Sequence, residues 1–520
     1  MGKNETLSLD PDRGLGPYRL WLEASRSWGD ATLGAQKVIA RTAQRSAEET
    51  RAVLNARYAA GEAPYLAGTG RLADLSRAQW LLWAGAGLTA AEVSGRAITG
   101  TRSGARSPRT LALGTVAADL YLGYVALRER SRWFSGLVTQ RDWELQHRRG
   151  ATRMLDTAEA LGGVLIKAGQ FASTRPDLLP SAYIEKLTPL QDRVPPQPPA
   201  MVREAVAREL GRPIEDVFSF FDPEPVAAAS IAQVHRARLR DGAEVAVKVQ
   251  YPGISGLLEA DLDALETIFD AVAGLEPEIR LRPISDYLRW TLPLELDFLR
   301  EAEAIGVLRE ALADRDDVIV PGVVEGLTTQ RLLVMEFVEG VKVTDVEGLK
   351  GAGVGPREVA VLLNDVYAEQ LFARGVLHAD PHPGNLRVRP EGGRPRLVLL
   401  DHGLTLGLDA GFVSALERLV RALEGGDLAE ISSSLGEAGL PVDGGTDFES
   451  LLAIVGVMLG GEGQDSVDRG FGLGLGASVG NIPPKLLLIG RAIGLLDGIT
   501  RQLDPDLDAL EIVGRHLRAP

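Results

Sequence analysis

The sequence predicts an α+β protein with two lobes, a small lobe rich in strands and a larger lobe that is mainly helical. Strand patterns are concentrated between residues 226 and 337, and helical patterns fill the chain after residue 405. A Val-Glu-Gly linker joins the two regions, and a helical extension precedes them. We therefore predict three parts, which are residues 1–150, 151–335 and 336–520.

The N-terminal extension differs from the rest of the chain in charge and in tryptophan content. Helical periodicity covers residues 18–60, 72–97 and 107–130, and a further helix is expected from about residue 152 to residue 173. Residues 1–150 carry 21 basic and 14 acidic side chains, a net charge of +7, whereas the whole chain carries −15. Six of the seven tryptophans also lie there. This pattern suits an anionic membrane surface or a partner protein, and it equally suits a packed extension with solvated charges.

The composition excludes several classes of protein. There is no cysteine, so disulfides and thiolate metal sites are excluded. The best candidate membrane span, residues 111–127, contains Asp119 near its middle, which would cost about 2.5–3.5 kcal/mol on insertion. We expect no secretory signal, no membrane span and no nucleic-acid partner. The predicted location is the cytoplasm, either free or peripheral to a membrane.

The strand-rich region contains a lysine in an unusual context. Strand patterns at residues 231–240 and 243–250 are separated by an Asp-Gly pair, a strong hairpin signal. In the second strand, three valines share one face and Lys248 lies on the other, where an isolated strand would expose it. The preceding string at 227–234, Ala-Ala-Ala-Ser-Ile-Ala-Gln-Val, has the spacing of a Gly-x-Gly-x-x-Gly-x-Val phosphate loop with alanine at each glycine position. A lysine in this second strand suits pairing with phosphates.

Acidic residues follow downstream at a spacing that brings them together on a helix. Glu295, Asp297 and Glu301 are expected to open a helix that begins at Pro293. Asp297 and Glu301 form a like-charge pair at i,i+4, which is destabilising in isolation. A nearby cation, either Lys248 or Mg²⁺, would relieve the repulsion. A solvated acidic face is the alternative.

The most specific pattern is the string His-Ala-Asp-Pro-His-Pro-Gly-Asn at residues 378–385. Two short strands joined by a turn at 390–393 follow it, which would place Asp401 across the hairpin from Asn385. A phosphoryl-transfer site needs one carboxylate to orient an acceptor hydroxyl, and here that residue is Asp380. It also needs an amide and a second acid to hold Mg²⁺ on the nucleotide phosphates, and Asn385 and Asp401 fit these roles.

Taken together, these residues resemble the UbiB/AarF family of atypical, protein-kinase-like proteins over about residues 150–505. Lys-Ala-Gly-Gln at 167–170 matches the family's Lys-x-Gly-Gln signature, and Glu-Leu-Asp at 295–297 matches its Glu-x-Asp signature. The resemblance implies a bilobal protein-kinase-like fold that binds ATP or ADP with Mg²⁺. It also implies ATPase or phosphoryl-transfer activity that supports ubiquinone or other isoprenoid-lipid metabolism, with an anionic membrane surface or lipid-metabolism enzymes as candidate partners.

The resemblance assigns a role to each site residue. The catalytic residues are Asp380, Lys248 and Glu301; the nucleotide-binding residues are Ala227, Ala228, Ala229, Ser230, Val234, Lys248, Glu336 and Phe337; the metal ligands are Asn385 and Asp401; and the gate over the cleft is Lys167, Gly169, Gln170, Glu295 and Asp297. Alanine in the phosphate loop adds a methyl group and disfavours positive φ, so this loop should hold nucleotide differently from a glycine-rich loop. The gating helix favours restrained ATPase-like or small-substrate chemistry over general protein phosphorylation.

Three alternatives remain open at this stage. A metallohydrolase would use the histidines and aspartates at 378–402 as ligands, although His378 and His382 also suit hydrogen bonds to the loop backbone. A small-molecule phosphotransferase of the aminoglycoside or choline kinase type shares the His-x-Asp-x-x-x-x-Asn loop but lacks the Lys-x-Gly-Gln helix. A nucleotide-binding pseudokinase scaffold without turnover would carry the same residues.

Overall fold

The computed structural model describes most of the chain from residue 108 onwards. The described residues are 108–133, 138–173, 179–191, 196–275, 282–440 and 483–517. They form two compact units: one holds the described residues up to Ser173 with Pro180–Leu190 and Gly256–Ser285, and the other holds Gln191–Ser255 and Asp286–Pro520. The helices predicted at 18–60 and 72–97 lie outside the described residues. The predicted boundaries at 150 and 335 stay predictions.

The described residues have an α+β architecture, as predicted. In chain order the helices are α1 Pro108–Trp133, α2 Gln140–Leu161, α3 Val164–Ala172, α4 Ser181–Leu187, α5 Pro199–Leu210, α6 Ile254–Leu275, α7 Arg282–Glu295, α8 Phe298–Ala311, α9 Val346–Gly351, α10 Pro356–Ala368, α11 Ala410–Gly425, α12 Leu428–Glu437, α13 Pro484–Leu503 and α14 Ala509–Gly514. The strands are β1 Phe218–Ala228, β2 Ala232–Leu239, β3 Glu244–Gln250, β4 Val318–Ile319, β5 Leu332–Glu336, β6 Val341–Lys342, β7 Val376–His378, β8 Leu386–Glu391, β9 Arg394–Leu399 and β10 Thr405–Gly407.

In the first unit, the single helix predicted at 152–173 is wrong. The chain forms α2 and α3, with a break at Gly162 and Gly163, whose φ angles are 68° and 60°. Positive φ ends a right-handed helix, and glycine reaches it without a steric penalty. Lys167, Gly169 and Gln170 of the predicted gate therefore lie on the short helix α3, which begins after Gly163.

Glycines bring the helices of this unit close together. A Cβ atom on Gly150 of α2 would lie 1.9 Å from the Tyr183 hydroxyl, and one on Gly169 of α3 would lie 2.5 Å from a methyl carbon of Leu190. Asp119 of α1 is buried and forms an ion pair with Arg153 of α2. The charge inside the apolar α1 segment is thus neutralised by a neighbouring helix. Among the described residues, no helix combines the length and apolarity that crossing a membrane requires.

The second unit begins with an antiparallel sheet in the strand order β1-β2-β3-β5. The predicted hairpin at the Asp-Gly pair is confirmed, since β2 pairs with β3 from Ala232 opposite Gln250 to Arg238 opposite Glu244. The valines of β3 pack with Val202 and Val206 of α5 in one apolar cluster. The other face of β3 carries Lys248, whose side chain is 11% exposed. Both faces of this strand are therefore covered, which explains why the lysine is not a surface residue.

The helix predicted to begin at Pro293 begins instead at Phe298, so that prediction is wrong. Pro293 lies inside the last turn of α7, and Asp297 is the N-cap of α8. The Asp297 carboxylate accepts hydrogen bonds from the backbone N–H groups of Leu299 and Arg300. An aspartate at this position satisfies amide groups that have no partner within the helix. The positive end of the helix dipole therefore faces the Asp297 charge.

Two smaller sheets position the predicted catalytic segments. One pairs β7 with β10, with His378 opposite Thr405. The other has the order β4-β9-β8-β6, and its β8–β9 hairpin is longer than predicted. The turn contains two residues, Gly392 and Gly393 with φ of 59° and 77°, where the sequence suggested four. Two consecutive residues with positive φ are typical of a tight type I′ turn, which lets the strands extend to Glu391 and Arg394.

Candidate active site

The first sheet aligns the predicted nucleotide-binding residues in a row across three strands. Ala227 of β1 lies opposite Val234 of β2, and Val234 lies opposite Lys248 of β3. Residues that pair directly across antiparallel strands project their side chains from the same face. Ala228 ends β1, and Ala229 and Ser230 form the turn into β2, closed by a hydrogen bond from the Ala229 N–H to the Ala232 carbonyl. The alanine-rich string is therefore a hairpin loop next to the lysine, as its spacing indicates.

Lys248 holds two carboxylates from distant parts of the chain. Its Nζ atom donates to both oxygens of Glu301, at 2.7 and 2.8 Å, and to Oδ2 of Asp401 at 3.1 Å. The lysine–glutamate pair predicted for the site is present in the structure. Glu301 is 1% exposed, whereas the Asp401 side chain retains 40% exposure. The cluster thus has a closed side at Glu301 and an open side at Asp401.

The protonation of these three groups follows from burial and mutual attraction. Burial acts to lower the pKa of Lys248, but Asp401 and Glu301 outweigh it and the pKa is raised. Burial acts to raise the pKa of Asp401, but the lysine and the Gly403 N–H outweigh it and the pKa is lowered. For Glu301, burial dominates and raises the pKa to about 7, although Lys248 opposes it. Asp401 is therefore the carboxylate that carries a charge over the whole physiological pH range.

The catalytic loop brings the predicted acid and amide together. Asn385 donates from Nδ2 to the backbone carbonyl of Asp380 at 3.1 Å and to its Oδ2 at 3.2 Å. The β8–β9 hairpin carries Asn385 beside the Asp401 segment, since the Leu400 N–H donates to the Asn385 carbonyl. Arg491 of α13 donates from Nη2 to Oδ1 of Asp380 at 2.9 Å. Both oxygens of Asp380 are therefore oriented by side chains of the protein.

The histidines of the loop have structural partners. The Nδ1 atom of His378 lies 2.8 Å from the Tyr367 hydroxyl oxygen, and its Nε2 atom contacts the Asp401 carbonyl. His402 donates from Nε2 to the Leu399 carbonyl, and its ring meets that of His378 edge to face at 5.2 Å. The Nδ1 atom of His382 accepts from the Gly384 N–H. Burial lowers the pKa of both His378 and His402, so each ring is neutral. Each of the three rings thus has at least one nitrogen in a hydrogen bond within the protein, as the structural alternative for His378 and His382 expected.

The remaining donors fit a magnesium ion. Magnesium prefers oxygen ligands and commonly takes one or two protein side chains together with water and substrate phosphates. The partly exposed Asp401 carboxylate supplies one oxygen. The Asn385 amide nitrogen donates to Asp380, which leaves the amide oxygen as the second ligand atom. Within the described ranges no cluster of three or more His, Asp or Glu side chains could hold a metal by itself. The site thus suits a cation that arrives with nucleotide phosphates.

Several predicted residues have contacts that the sequence did not indicate. The Phe337 N–H donates to the Glu244 carbonyl, and Glu336 accepts from the Gly322 N–H, so a contact of this segment with adenine would have to use other atoms. Gln170 donates to the Leu190 carbonyl at 2.9 Å. The gating role of Lys167, Gly169, Gln170, Glu295 and Asp297 and the adenine contacts of Glu336 and Phe337 stay predictions.

Sequence reasoning missed Arg491, which lies 111 residues after Asp380. It is half-buried on α13. Burial acts to lower its pKa, but Asp380, Tyr287 and Glu295 outweigh this effect and the pKa is raised. A signal was available in the sequence. The segment Lys-Leu-Leu-Leu-Ile-Gly-Arg-Ala-Ile-Gly-Leu-Leu at 485–496 places one arginine inside an apolar run. A buried charge in such a run requires a partner of opposite charge.

Comparisons with known proteins agree with this geometry. Residues 189–435 match the ABC1 atypical kinase-like domain. AarF domain-containing protein kinase 1 of Mus musculus is 37% identical over 331 residues, which is 63% of this chain and 61% of the mouse protein. Protein ACTIVITY OF BC1 COMPLEX KINASE 8, chloroplastic, of Arabidopsis thaliana is 37% identical over 276 residues, which is 52% of this chain and 36% of that protein. The chain spans roughly a third to three fifths of the length of these two relatives.

A solved structure from Mycobacterium tuberculosis, titled "The complex structure of Rv3197-erythromycin", is also similar. It shares 25% sequence identity with a TM-score of 0.46, over 69% of this chain and 93% of that chain. Residues 189–435 are therefore similar to an atypical kinase-like domain, in the part of the chain where the sequence resembles the UbiB/AarF family.

Proposed function

We propose that this protein binds ATP with Mg²⁺ and catalyses ATP hydrolysis or phosphoryl transfer to a small acceptor. The observation that carries the proposal is the buried contact of Lys248 with Glu301, with Asp401 on its open side. A lysine held in this way, next to a carboxylate and an amide that suit Mg²⁺, is the arrangement that phosphoryl transfer requires. The match to the ABC1 atypical kinase-like domain and the similarity to relatives named as kinases support a phosphotransferase-type enzyme.

Each side chain has a separate task in this proposal. Lys248 pairs with nucleotide phosphates, and Glu301 keeps the lysine directed towards them. Asn385 and Asp401 would hold Mg²⁺, which when bound neutralises charge on the phosphate oxygens. Asp380 orients the hydroxyl of the acceptor or a water molecule. Arg491 and Asn385 fix the carboxylate of Asp380, so that its position does not depend on the acceptor.

A nucleotide-binding scaffold without turnover is the second candidate. It is favoured by the ion pair of Arg491 with Asp380, because a carboxylate oxygen that already accepts from an arginine is less available to an acceptor hydroxyl. The two candidates differ in one measurable quantity. An enzyme releases phosphate, or transfers it, at a rate that falls when Asp380 is replaced by asparagine. A scaffold would bind nucleotide with the same affinity before and after this replacement, and it would neither release nor transfer phosphate.

The test measures thermal unfolding with ATP in the presence of Mg²⁺ and in the presence of EDTA, together with phosphate release. We expect a larger rise in melting temperature with Mg²⁺. The Asp401→Asn variant should lose this Mg²⁺-dependent part, whereas Asp427→Asn, at the N-cap of α12, should retain it. Equal shifts with Mg²⁺ and EDTA in the unsubstituted protein would contradict the metal assignment.

We further propose that the activity supports ubiquinone or other isoprenoid-lipid metabolism, and that residues 1–150 contact an anionic membrane surface or a lipid-metabolism enzyme. The resemblance to the family supports the first statement, and the +7 charge with six tryptophans supports the second. The metabolic role is tested by comparing lipids and quinone intermediates in cells with the protein, without it, and with the Lys248→Ala variant. Identical profiles in all three would argue against the role.

A further inference from the structure

Tyr251 contacts the alanine-rich loop at two points. It follows the last residue of β3, the strand that carries Lys248. Its backbone N–H donates to the Ile231 carbonyl at 3.0 Å, and its hydroxyl donates to the Ala229 carbonyl at 2.9 Å. Burial raises the pKa of Tyr251 to about 12, so the hydroxyl remains a donor at physiological pH. One residue therefore ties the loop to the lysine strand.

The bond to the Ala229 carbonyl also fixes the direction of the next amide. A trans peptide group is planar, and its carbonyl and N–H point in opposite directions. When the hydroxyl of Tyr251 holds the carbonyl of Ala229, the N–H of Ser230 is directed away from the tyrosine. Ser230 as a whole residue is 4% exposed, so this turn is packed against the protein.

The alanines make this orientation persistent. Among the described residues, only glycines have positive φ, so the loop uses conformations that are ordinary for L-residues. A glycine loop can turn a peptide group over at little cost, whereas a Cβ atom disfavours the intermediate conformations. Backbone N–H groups in loops and at turns are the usual donors to phosphate oxygens. In a loop without glycine, a contact that selects one orientation of the peptide group is therefore preserved by the side chains themselves.

We propose that Tyr251 is a positioning residue for the phosphate groups of a nucleoside di- or triphosphate, because its hydroxyl orients the Ala229–Ser230 peptide group of the alanine-rich loop. This inference rests on the proposed nucleotide-binding function and names the part of the ligand that the loop recognises. The Ser230 N–H donates to the phosphates, while Lys248 on the adjoining strand supplies the positive charge.

The test is the Tyr251→Phe variant, which removes one oxygen and keeps the ring. Affinities for ATP·Mg²⁺, ADP·Mg²⁺ and adenosine are measured by competition against a fluorescent nucleotide at fixed ionic strength. We expect the two nucleotides to bind about three- to tenfold more weakly, the loss of one hydrogen bond, and adenosine to bind as before. A purely structural role would weaken all three ligands alike.

The matched control is Tyr183→Phe. Tyr183 is a buried tyrosine of the other compact unit, and its hydroxyl lies 2.9 Å from that of Tyr124. We expect it to leave all three affinities unchanged, and circular dichroism confirms the folding of both variants. If the unsubstituted protein binds no adenine nucleotide, the proposed function itself fails. If it binds nucleotide and Tyr251→Phe shows no loss, or an equal loss for adenosine, only the role of Tyr251 is overturned.

Discussion

Lys248 is nearly buried in the structure, although the pattern of its strand alone predicts an exposed lysine. On the strand alone, the lysine lies opposite an apolar face and would be exposed to solvent. In the structure, α8 places Glu301 over the face of β3 that carries Lys248. The two side chains bind each other, with 11% exposure for Lys248 and 1% for Glu301. Removing one partner of a buried pair is far more costly than removing an exposed one. The position of the Lys248 ammonium group is therefore fixed, which that of a solvated lysine would not be.

His402 gives a pH prediction at the scale of one residue. Burial, with a contribution from His378, lowers its pKa from 6.5 to about 3. The unfolded chain then binds more protons than the folded chain between these two values, so stability falls as the pH decreases from about 6.5 towards 3. Chemical denaturation at several pH values across this range should show that His402 lowers the free energy of unfolding by on the order of a few kcal/mol.

The comparison for that prediction is His402→Phe, which has no titrating ring. Its stability at neutral pH should be lower, because the hydrogen bond to the Leu399 carbonyl is lost. Its stability should nevertheless change less steeply between pH 6.5 and pH 3. Parallel curves for the two proteins would show that the histidine is not the group responsible.

At the scale of the element, the glycine of the Lys-x-Gly-Gln signature has a packing role in α3. A Cβ atom at Gly169 would lie 2.5 Å from a methyl carbon of the buried Leu190. Gly169→Ala should therefore destabilise the protein by about 1–3 kcal/mol through overpacking, although alanine favours helix. Gly498→Ala on α13 is the control, because no atom lies within 4 Å of its Cβ position. It should be neutral or stabilising in the same urea titration, and equal losses would contradict the packing role.

The N-cap of α8 links local stability to the site. Because Asp297 accepts from two amide groups, Asp297→Ala should cost about 1 kcal/mol and displace the first turn of α8, which carries Glu301. Nucleotide affinity should fall as well. Asp427→Ala removes the same kind of cap from α12, where no site residue lies, and should lower only the stability. Thermal unfolding and nucleotide titration of both variants give the comparison. If both variants lower the nucleotide affinity equally, the Asp297 cap has no specific effect on the site.

Elements were predictable where one local signal decides the structure. The Asp-Gly hairpin between β2 and β3 follows from its two turn residues, and Gly392 and Gly393 mark the later hairpin. The boundary at Pro293 was not predictable, because proline suits a first helical turn and the structure instead tolerates it near the end of α7. The break at Gly162 and Gly163 was missed because the apolar pattern continues across it.

At the scale of the whole molecule, the charge asymmetry predicts where the protein binds. Residues 1–150 carry +7 within a chain of −15, so the protein should float with liposomes that contain anionic lipids at low salt. Deleting residues 1–107 should weaken flotation, and neutral liposomes are the control. Because screening weakens contacts between exposed charges, added salt should reduce the bound fraction. No flotation at low salt would contradict membrane contact.

The site was predictable from the sequence as far as its residues follow a motif. Lys248 contacts Glu301 and Asp401, and Asn385 contacts Asp380, and each of these residues belongs to a string of specific spacing. Their roles in catalysis and metal binding stay predictions. Arg491 belongs to no such string, and its partner is set by the packing of a helix from the far end of the chain. Long-range pairs of this kind depend on tertiary structure, which the local pattern does not contain.

The wide separation of these partners has a consequence for folding. Lys248 joins residues that are 53 and 153 positions further along the chain. Loop-closure entropy makes such contacts late events, so a partly folded chain holds the pieces of the site without the site itself. Nucleotide binding would then appear only with the last cooperative step of refolding. Given the proposed nucleotide binding, the fraction of molecules that bind nucleotide would measure how much of a preparation is fully native.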